Sequence, residues 1–198
     1  MVAPRLARLA AAVLLALGGL AAGSSALAAR GRVHRAAAAG ACRDAGLTPT
    51  IHDLRLVRAA TLCLVNRERS SHGERPLRSN RRLARAAQAH SNSMARYDYF
   101  EHVGPRGQTT TARLRAVGYI SSSIGYEVGE NIAWGTLDLA TPRAIVSAWM
   151  ASPGHRANIL DPRFRETGIG VCPHAISSMA HGQPGAIYTQ DFGVIDRR

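Results

Sequence analysis

The chain has 198 residues, and its basic residues, all of them arginine, number 25 against 13 acidic residues, for a formal net charge of +12. The arginines are scattered along the chain, which favours anionic surfaces in general and excludes a recognisable nucleic-acid-binding motif. The length suits one domain with one core, and no stretch after the N-terminal apolar run is long and apolar enough for a membrane helix.

The first 28 residues have the pattern of a secretory signal peptide. Arg5 and Arg8 precede an apolar run, Leu9 to Leu20, that is too short to span a bilayer, and Ala26-Leu27-Ala28 supplies a cleavage site. Cleavage there would leave a net charge of +10 (12 minus 2). We therefore predict a secreted protein. A lipid-anchored or envelope-associated protein is the alternative, because Ala39-Gly40-Ala41-Cys42 resembles a lipobox.

Residues 29–52 are predicted to form a disordered N-terminal tail and residues 53–198 the folded domain, which we expect to be monomeric. The tail begins with a stretch rich in alanine, glycine and arginine that has no apolar period. Because an exported chain can form disulfides, Cys42 and Cys63 are predicted to pair and to join the tail to the first helix. Cys172 is then left as a buried free thiol in an apolar strand pattern.

Helices are predicted first along the folded part. Asp53 and Asn80 are candidate caps of two helices with apolar residues at helical spacing, and a short third helix is predicted over 111–117. His90 falls on the apolar face of the second helix. We interpret it as a core histidine with a hydrogen-bond partner rather than as a ligand.

Strands are predicted mainly in the second half of the chain. Thr141-Pro142 and Ser152-Pro153 begin two further helices, and the second of these places His155 in its first turn. Strand patterns cover 128–134, 167–171 and 186–194. Because helices precede most of the strands, the pattern predicts an α+β fold rather than a doubly wound sheet.

Four short motifs carry a family resemblance. They are Tyr99-Phe100-Glu101-His102, Gly129-Glu130-Asn131-Ile132-Ala133, the segment from Ser152 to Leu160, and Gln190-Asp191-Phe192-Gly193. In this order they resemble the CAP superfamily (cysteine-rich secretory proteins, antigen 5 and pathogenesis-related 1; SCP domain), specifically its secreted bacterial branch. The resemblance covers about residues 54 to 195. It implies a three-layer α-β-α sandwich with a central antiparallel sheet and a cleft lined by two histidines and acidic residues.

Three residues carry the family's cleft over to this chain. His102 and His155 match the two histidines that can hold a divalent metal, often zinc, and Glu130 matches the first acid. The second acid has no match, because Ser152 stands in its place. The position of His155 at a helix N-terminus independently favours a neutral imidazole, which can bind metal. Glu130 could orient a histidine, act as a catalytic base on metal-bound water, or be a buried structural carboxylate.

Two functions of different class are compatible with this pattern. The first is a non-enzymatic extracellular binding module for a lipid, a sterol or another envelope ligand. The second is a metal-dependent extracellular hydrolase or protease that uses the same cleft, against which the missing acid and the lack of an evident nucleophile or third metal ligand count. The net charge alone suggests a third function, an envelope scaffold that binds anionic polymers.

Overall fold

The computed structural model describes residues 42–121 and 125–196, so the predicted signal peptide and residues 29–41 lie outside the described residues. The helices are α1 (Leu54–Ser71), α2 (Arg81–Tyr97), α3 (Thr110–Ala116), α4 (Pro142–Ala151), α5 (Pro153–Leu160) and α6 (Ser177–Ala180). The strands are β1 (Arg78–Ser79), β2 (Tyr126–Thr136), β3 (Glu166–Cys172) and β4 (Gly185–Ile195). No helix in the described ranges combines the length and apolar character needed to cross a bilayer.

The four strands form one sheet in the order β1-β3-β4-β2. β4 pairs antiparallel with β2 along its whole length and with β3 on its other side. The predicted central antiparallel sheet is therefore confirmed. The two-residue strand β1, which the sequence analysis did not predict, pairs parallel with β3 and adds a short edge.

Helices cover both faces of the sheet and complete the predicted three-layer α-β-α sandwich. α2 and α3 pack on one face, while α1, α4 and α5 enclose the larger apolar cluster on the other. Trp149 of α4 is almost fully buried in that cluster, and its Nε1 donates a hydrogen bond to the carbonyl oxygen of Ile132 in β2 at 3.1 Å. Packing and this hydrogen bond together hold the second helical layer on the edge strand β2.

Two glycines in β3 allow α2 to lie directly on the sheet. A Cβ atom added to Gly168 would come within 2.0 Å of the backbone nitrogen of Ala84, and one added to Gly170 within 2.2 Å of the carbonyl carbon of Ala87. A larger residue at either position would push α2 away from the sheet. The two glycines therefore set the distance between the sheet and the helix that carries His90.

Residues 42–52 belong to the packed domain, so the predicted disordered tail is wrong for this stretch. Cys42 and Ala45 are buried, and the carbonyl oxygen of Ala45 accepts a hydrogen bond from the backbone nitrogen of Arg143 at 2.9 Å. A disulfide joins Cys42 to Cys63 of α1, the pair that the sequence analysis favoured. The covalent link and the apolar contacts together order a segment whose composition alone indicates no element.

Two smaller expectations have different outcomes. Cys172 at the end of β3 is buried and has a free thiol, as predicted. Asp53 precedes α1 as predicted, but its carboxylate accepts hydrogen bonds from the amide and hydroxyl of Thr50 rather than from the helix amides. The entry into α1 is therefore shaped by a local turn instead of a side-chain cap.

Replacing Gly170 by alanine is expected to lower the free energy of unfolding by at least about 2 kcal/mol, because the new methyl group overlaps the backbone of α2. Urea unfolding would measure the change. Gly46→Ala is the matched control, since a Cβ there meets nothing within 4 Å, and its effect should stay within about 0.5 kcal/mol. Equal stability of the two variants would contradict the close approach of α2.

Removing the disulfide with the double substitution Cys42→Ser and Cys63→Ser is expected to cost about 3 kcal/mol, because the bridge closes a loop with a sequence separation of 21. The test compares urea unfolding of both proteins with and without reducing agent. Reduction should bring the wild-type midpoint down to that of the variant and leave the variant unchanged. A variant as stable as the oxidised wild type would show that the bridge contributes nothing.

Candidate functional site

The carboxylate of Glu130 lies at the centre of the candidate site. Its side chain projects from β2 toward the α2 and α3 layer and is 3% exposed. Oε2 accepts a hydrogen bond from Nη2 of Arg113 at 2.5 Å, while Oε1 accepts one from Oγ1 of Thr110 at 3.1 Å and lies 2.8 Å from Nδ1 of His102. Both oxygens of this buried carboxylate are thus satisfied by donors.

The contact between His102 and Glu130 fixes the proton on the imidazole of His102. A carboxylate can only accept a hydrogen bond, so Nδ1 of His102 is the donor and, in the neutral ring, Nε2 keeps its lone pair. The His102 side chain is 51% exposed, so its ring lies at the protein surface while its Nδ1 contacts the buried carboxylate of Glu130. His102 can therefore use Nε2 toward a metal ion or a ligand.

His155 reaches the same region from the other helical layer. It lies in the first turn of α5, as predicted, and its carbonyl oxygen accepts a hydrogen bond from Nδ2 of Asn131, the neighbour of Glu130, at 3.0 Å. Nδ2 of Asn158, also in α5, donates to the carbonyl oxygen of Glu130 at 3.2 Å. Because β2 is the edge strand, the loop of His102 and the helix of His155 meet along it.

The two histidines influence one another electrostatically. Burial is the main cause that lowers the pKa of His155, and the nearby charge of His102 lowers it further. The helix N-terminus was predicted to favour a neutral His155, and burial and the second imidazole lower its pKa in the same direction. The three residues that carry the family resemblance thus gather around β2.

His90 is a core histidine with a hydrogen-bond partner, as predicted. It is 1% exposed, and its Nε2 donates to the carbonyl oxygen of Glu101 at 3.0 Å. Burial lowers the pKa of His90 to about 4, although the carboxylate of Glu130, 3.8 Å from Nε2, acts in the opposite direction.

Arg113 donates to the carbonyl oxygen of His102, the residue after Glu101, at 3.1 Å. Two successive carbonyl groups of the His102 loop are thereby held in place.

Asp191 adds a second buried carboxyl group to the site. It lies directly opposite Glu130 in the β2 and β4 pair and is fully buried. Neither of its carboxyl oxygens has a hydrogen-bond donor in the described part of the chain. Burial, followed by the charge of Glu130, raises the pKa of Asp191 well above its ordinary value. A protonated Asp191 can donate to Glu130, which leaves one charge on two opposed carboxyl groups.

Glu130 is the member of this pair that keeps its charge. Burial by itself raises the pKa of Glu130, but the hydrogen bond from His102 and the charge of Arg113 outweigh burial and hold that pKa below its ordinary value. The carboxylate is therefore a weak base that serves as an acceptor for its neighbours.

The roles of Arg113 and Asp191 were not predicted from the sequence. Arg113 is buried beside Leu114 on a short helix, but nothing in the sequence distinguishes it from the many exposed arginines. Asp191 lies in one of the four motifs, yet its position opposite Glu130 depends on the register of two distant strands. Ser152, the residue in place of the second acid, precedes α5 and supplies no carboxylate.

Protein stability is expected to fall by about 3 kcal/mol between pH 6.5 and pH 4 through His90 alone. Its pKa is lowered from 6.5 to about 4, so acid protonates this side chain in the unfolded chain before it does so in the folded one. The folded state thus has its full advantage above pH 6.5 and loses it as the pH falls toward 4.

Urea unfolding of the wild type and of His90→Gln across this pH range measures the effect. Glutamine keeps a donor for Glu101 and does not titrate, so the variant should show a flatter pH dependence, and subtraction cancels the opposing contribution of Asp191. His52→Gln, at an exposed position, is the control that should follow the wild type. Parallel curves for all three proteins would refute the assignment.

Residues 62–192, which contain every residue of the site described above, match the model of the cysteine-rich secretory protein (CAP) family. Over 130 residues the chain is 36% identical to the Bacillus subtilis (strain 168) protein YkwD, an alignment that covers 65% of this chain and 44% of YkwD. The chain therefore spans less than half the length of that relative.

Two solved structures have a similar fold. One is an extracellular protein containing an SCP domain from Bacillus anthracis str. Ames, with 28% identity, a TM-score of 0.52, and coverage of 70% of this chain and 39% of that chain. The other is an outer surface protein from Borrelia burgdorferi, with 16% identity, a TM-score of 0.57, and coverage of 75% of this chain and 96% of that chain. With the matched family model and the three-layer fold, these similarities establish that the chain belongs to the CAP family of cysteine-rich secretory proteins.

Proposed function

We propose that this protein is an extracellular, non-enzymatic binding module whose cleft at the edge of β2 holds a divalent metal ion between His102 and His155. Zinc is the first candidate. The bound ion would supply a positive charge that attracts and orients a polar group of the ligand, for which we propose a lipid, a sterol or another envelope component.

The hydrogen bond between His102 and Glu130 supports this proposal most directly. It keeps the proton on Nδ1 and leaves the lone pair of Nε2 available, as in the carboxylate-histidine pairs that commonly orient metal ligands. The lowered pKa of His155 favours the unprotonated state of the second imidazole. The geometry at His102 and the lowered pKa of His155 therefore both favour binding of a cation.

The donor set fits an open site better than a closed one. Within residues 42–121 and 125–196, no group of three or more histidine, cysteine, aspartate or glutamate side chains is arranged to hold a metal ion. Two imidazoles would leave coordination positions for water or for a ligand group, whereas structural zinc has four protein ligands. Such a site suits reversible binding rather than stabilisation of the fold.

The environment of Glu130 argues against the alternative of a metal-dependent hydrolase. A general base works best with a pKa near the operating pH, but Arg113 and His102 hold the pKa of Glu130 below its ordinary value. Both carboxylate oxygens are already engaged by donors. Glu130 is better suited to orient His102 than to take a proton from water.

Three observations support an extracellular location. The signal-like pattern of residues 1–28 predicts export, and the Cys42–Cys63 disulfide suits an oxidising compartment. The similar Bacillus anthracis protein is described as extracellular.

Isothermal titration of the purified protein with zinc is expected to give one ion per chain. His102→Ala and His155→Ala should each weaken binding by at least about tenfold, because each removes half of the protein ligands. Glu130→Gln should weaken it by about 10- to 100-fold without removing a ligand, because it disturbs the orientation of His102.

His52→Ala is the matched control, since it removes an exposed histidine that lies outside the site and should leave zinc binding unchanged. The metal assignment fails if the wild type takes up no zinc, or if the double variant lacking both His102 and His155 binds it as well as the wild type does.

A further inference from the structure

One cavity of the described domain lies away from the two histidines. It has a volume of about 600 Å³, within the range of small-molecule sites, and it opens where β1, β3 and the end of β4 meet the loop that follows α3. Ile195 of its wall pairs with Tyr126, four residues along β2 from Glu130, which is about 14 Å at the rise of an antiparallel strand. The cavity is therefore a separate region of the molecule.

Three arginines and one carboxylate line this cavity. Arg78, Arg82 and Arg165 are exposed. In the described ranges the side chains of Arg78 and Arg82 have no hydrogen-bond or ion-pair partner, and that of Arg165 donates only to backbone carbonyl oxygens. The single carboxylate, Glu166, accepts a hydrogen bond from the hydroxyl of Tyr119 at 3.1 Å. We call this cavity, lined by Arg78, Arg82 and Arg165, the arginine cavity. Its lining side chains carry an excess of two positive charges (three minus one).

This arrangement is suited to a phosphate group. A guanidinium group presents parallel N–H donors that match phosphate oxygens, and several guanidinium groups can share one doubly charged anion. The amides of Arg82 and Leu83 at the start of α2 are already capped by Asn80, so the guanidinium groups are the main donors toward an anion.

The other residues that line the cavity indicate which chemical group the phosphate is attached to. Val194, Ile195 and the ring of the buried Tyr119 supply apolar surface, which suits a carbon skeleton. Glu166 supplies a carboxylate that can accept hydrogen bonds from hydroxyls. We propose that the arginine cavity is a second binding site, which takes a phosphate ester of a small polyhydroxy compound.

Isothermal titration with glycerol 3-phosphate at 0.15 M salt tests this proposal. The wild type should bind one molecule per chain, more tightly than inorganic phosphate and without competition from glycerol. The double variant Arg78→Gln with Arg82→Gln should lose about tenfold or more in affinity, because two charged hydrogen-bond donors are removed. Circular dichroism would check that this variant, changed only at exposed positions, remains folded.

The control variant Arg85→Gln with Arg143→Gln removes the same charge from exposed positions outside the cavity and should bind as the wild type does. Equal weakening of the two double variants would mean that net charge alone attracts the ester and would overturn the proposal, as would the absence of binding to the wild type.

Titration with glycerophosphoglycerol, a phosphodiester, distinguishes the two possible sources of the phosphate group. Preference for the monoester indicates a free metabolite, and equal affinity indicates a repeating unit or headgroup with a phosphodiester.

Backbone NMR locates the ligand independently of affinity. On addition of glycerol 3-phosphate, the largest amide shifts are expected at Asn80, Gly118 and Ile195. Shifts centred on Glu130 and Asp191 would instead place the ester near His102 and His155 and overturn the second site. The zinc titration described above involves none of these arginines, so the two sites can fail separately.

Discussion

The buried ion pair between Glu130 and Arg113 is the interaction on which the position of His102 depends. Breaking a buried pair by removal of one partner typically costs about 3–5 kcal/mol, because the remaining charge stays buried without compensation. Here the same two side chains also hold the imidazole and the carbonyl group of His102. The ion pair thus fixes the position of the surface loop that carries His102.

Two regions with different electrostatic environments lie along the β2 and β4 pair, one at its middle and one at the end of β4. At the middle of the β2 and β4 pair, the charge of Glu130 is balanced by Arg113, and the carboxyl group of Asp191 opposite it favours its neutral form. At the end of β4, three arginines and one carboxylate line the arginine cavity. The charges of the first region are balanced by the protein's own side chains, while for the second we have proposed an external phosphate group. This contrast is consistent with a domain that binds more than one kind of group.

Local signals predicted those parts of the molecule that depend on neighbouring residues. The proline pairs defined α4 and α5, and the family motifs selected His102, Glu130 and His155, which the structure gathers around β2. Asp191 could not be placed, because its partner depends on strand register, and Arg113 was hidden by the abundance of arginine. The arginine cavity combines residues from opposite ends of the domain sequence. The order of residues 42–52 depends on a distant disulfide partner, so composition misled there.

The bridge between Cys42 and Cys63 also determines how the domain would respond to mechanical tension. A pull on the chain before residue 42 would enter at Cys42 and pass through the sulfur atoms directly to the middle of α1, bypassing residues 43–62. Residues 43–53 and the first half of α1 would carry no load while the disulfide is intact. A protein held by its N-terminal segment in a moving fluid could then keep this end of the fold intact until the disulfide is reduced.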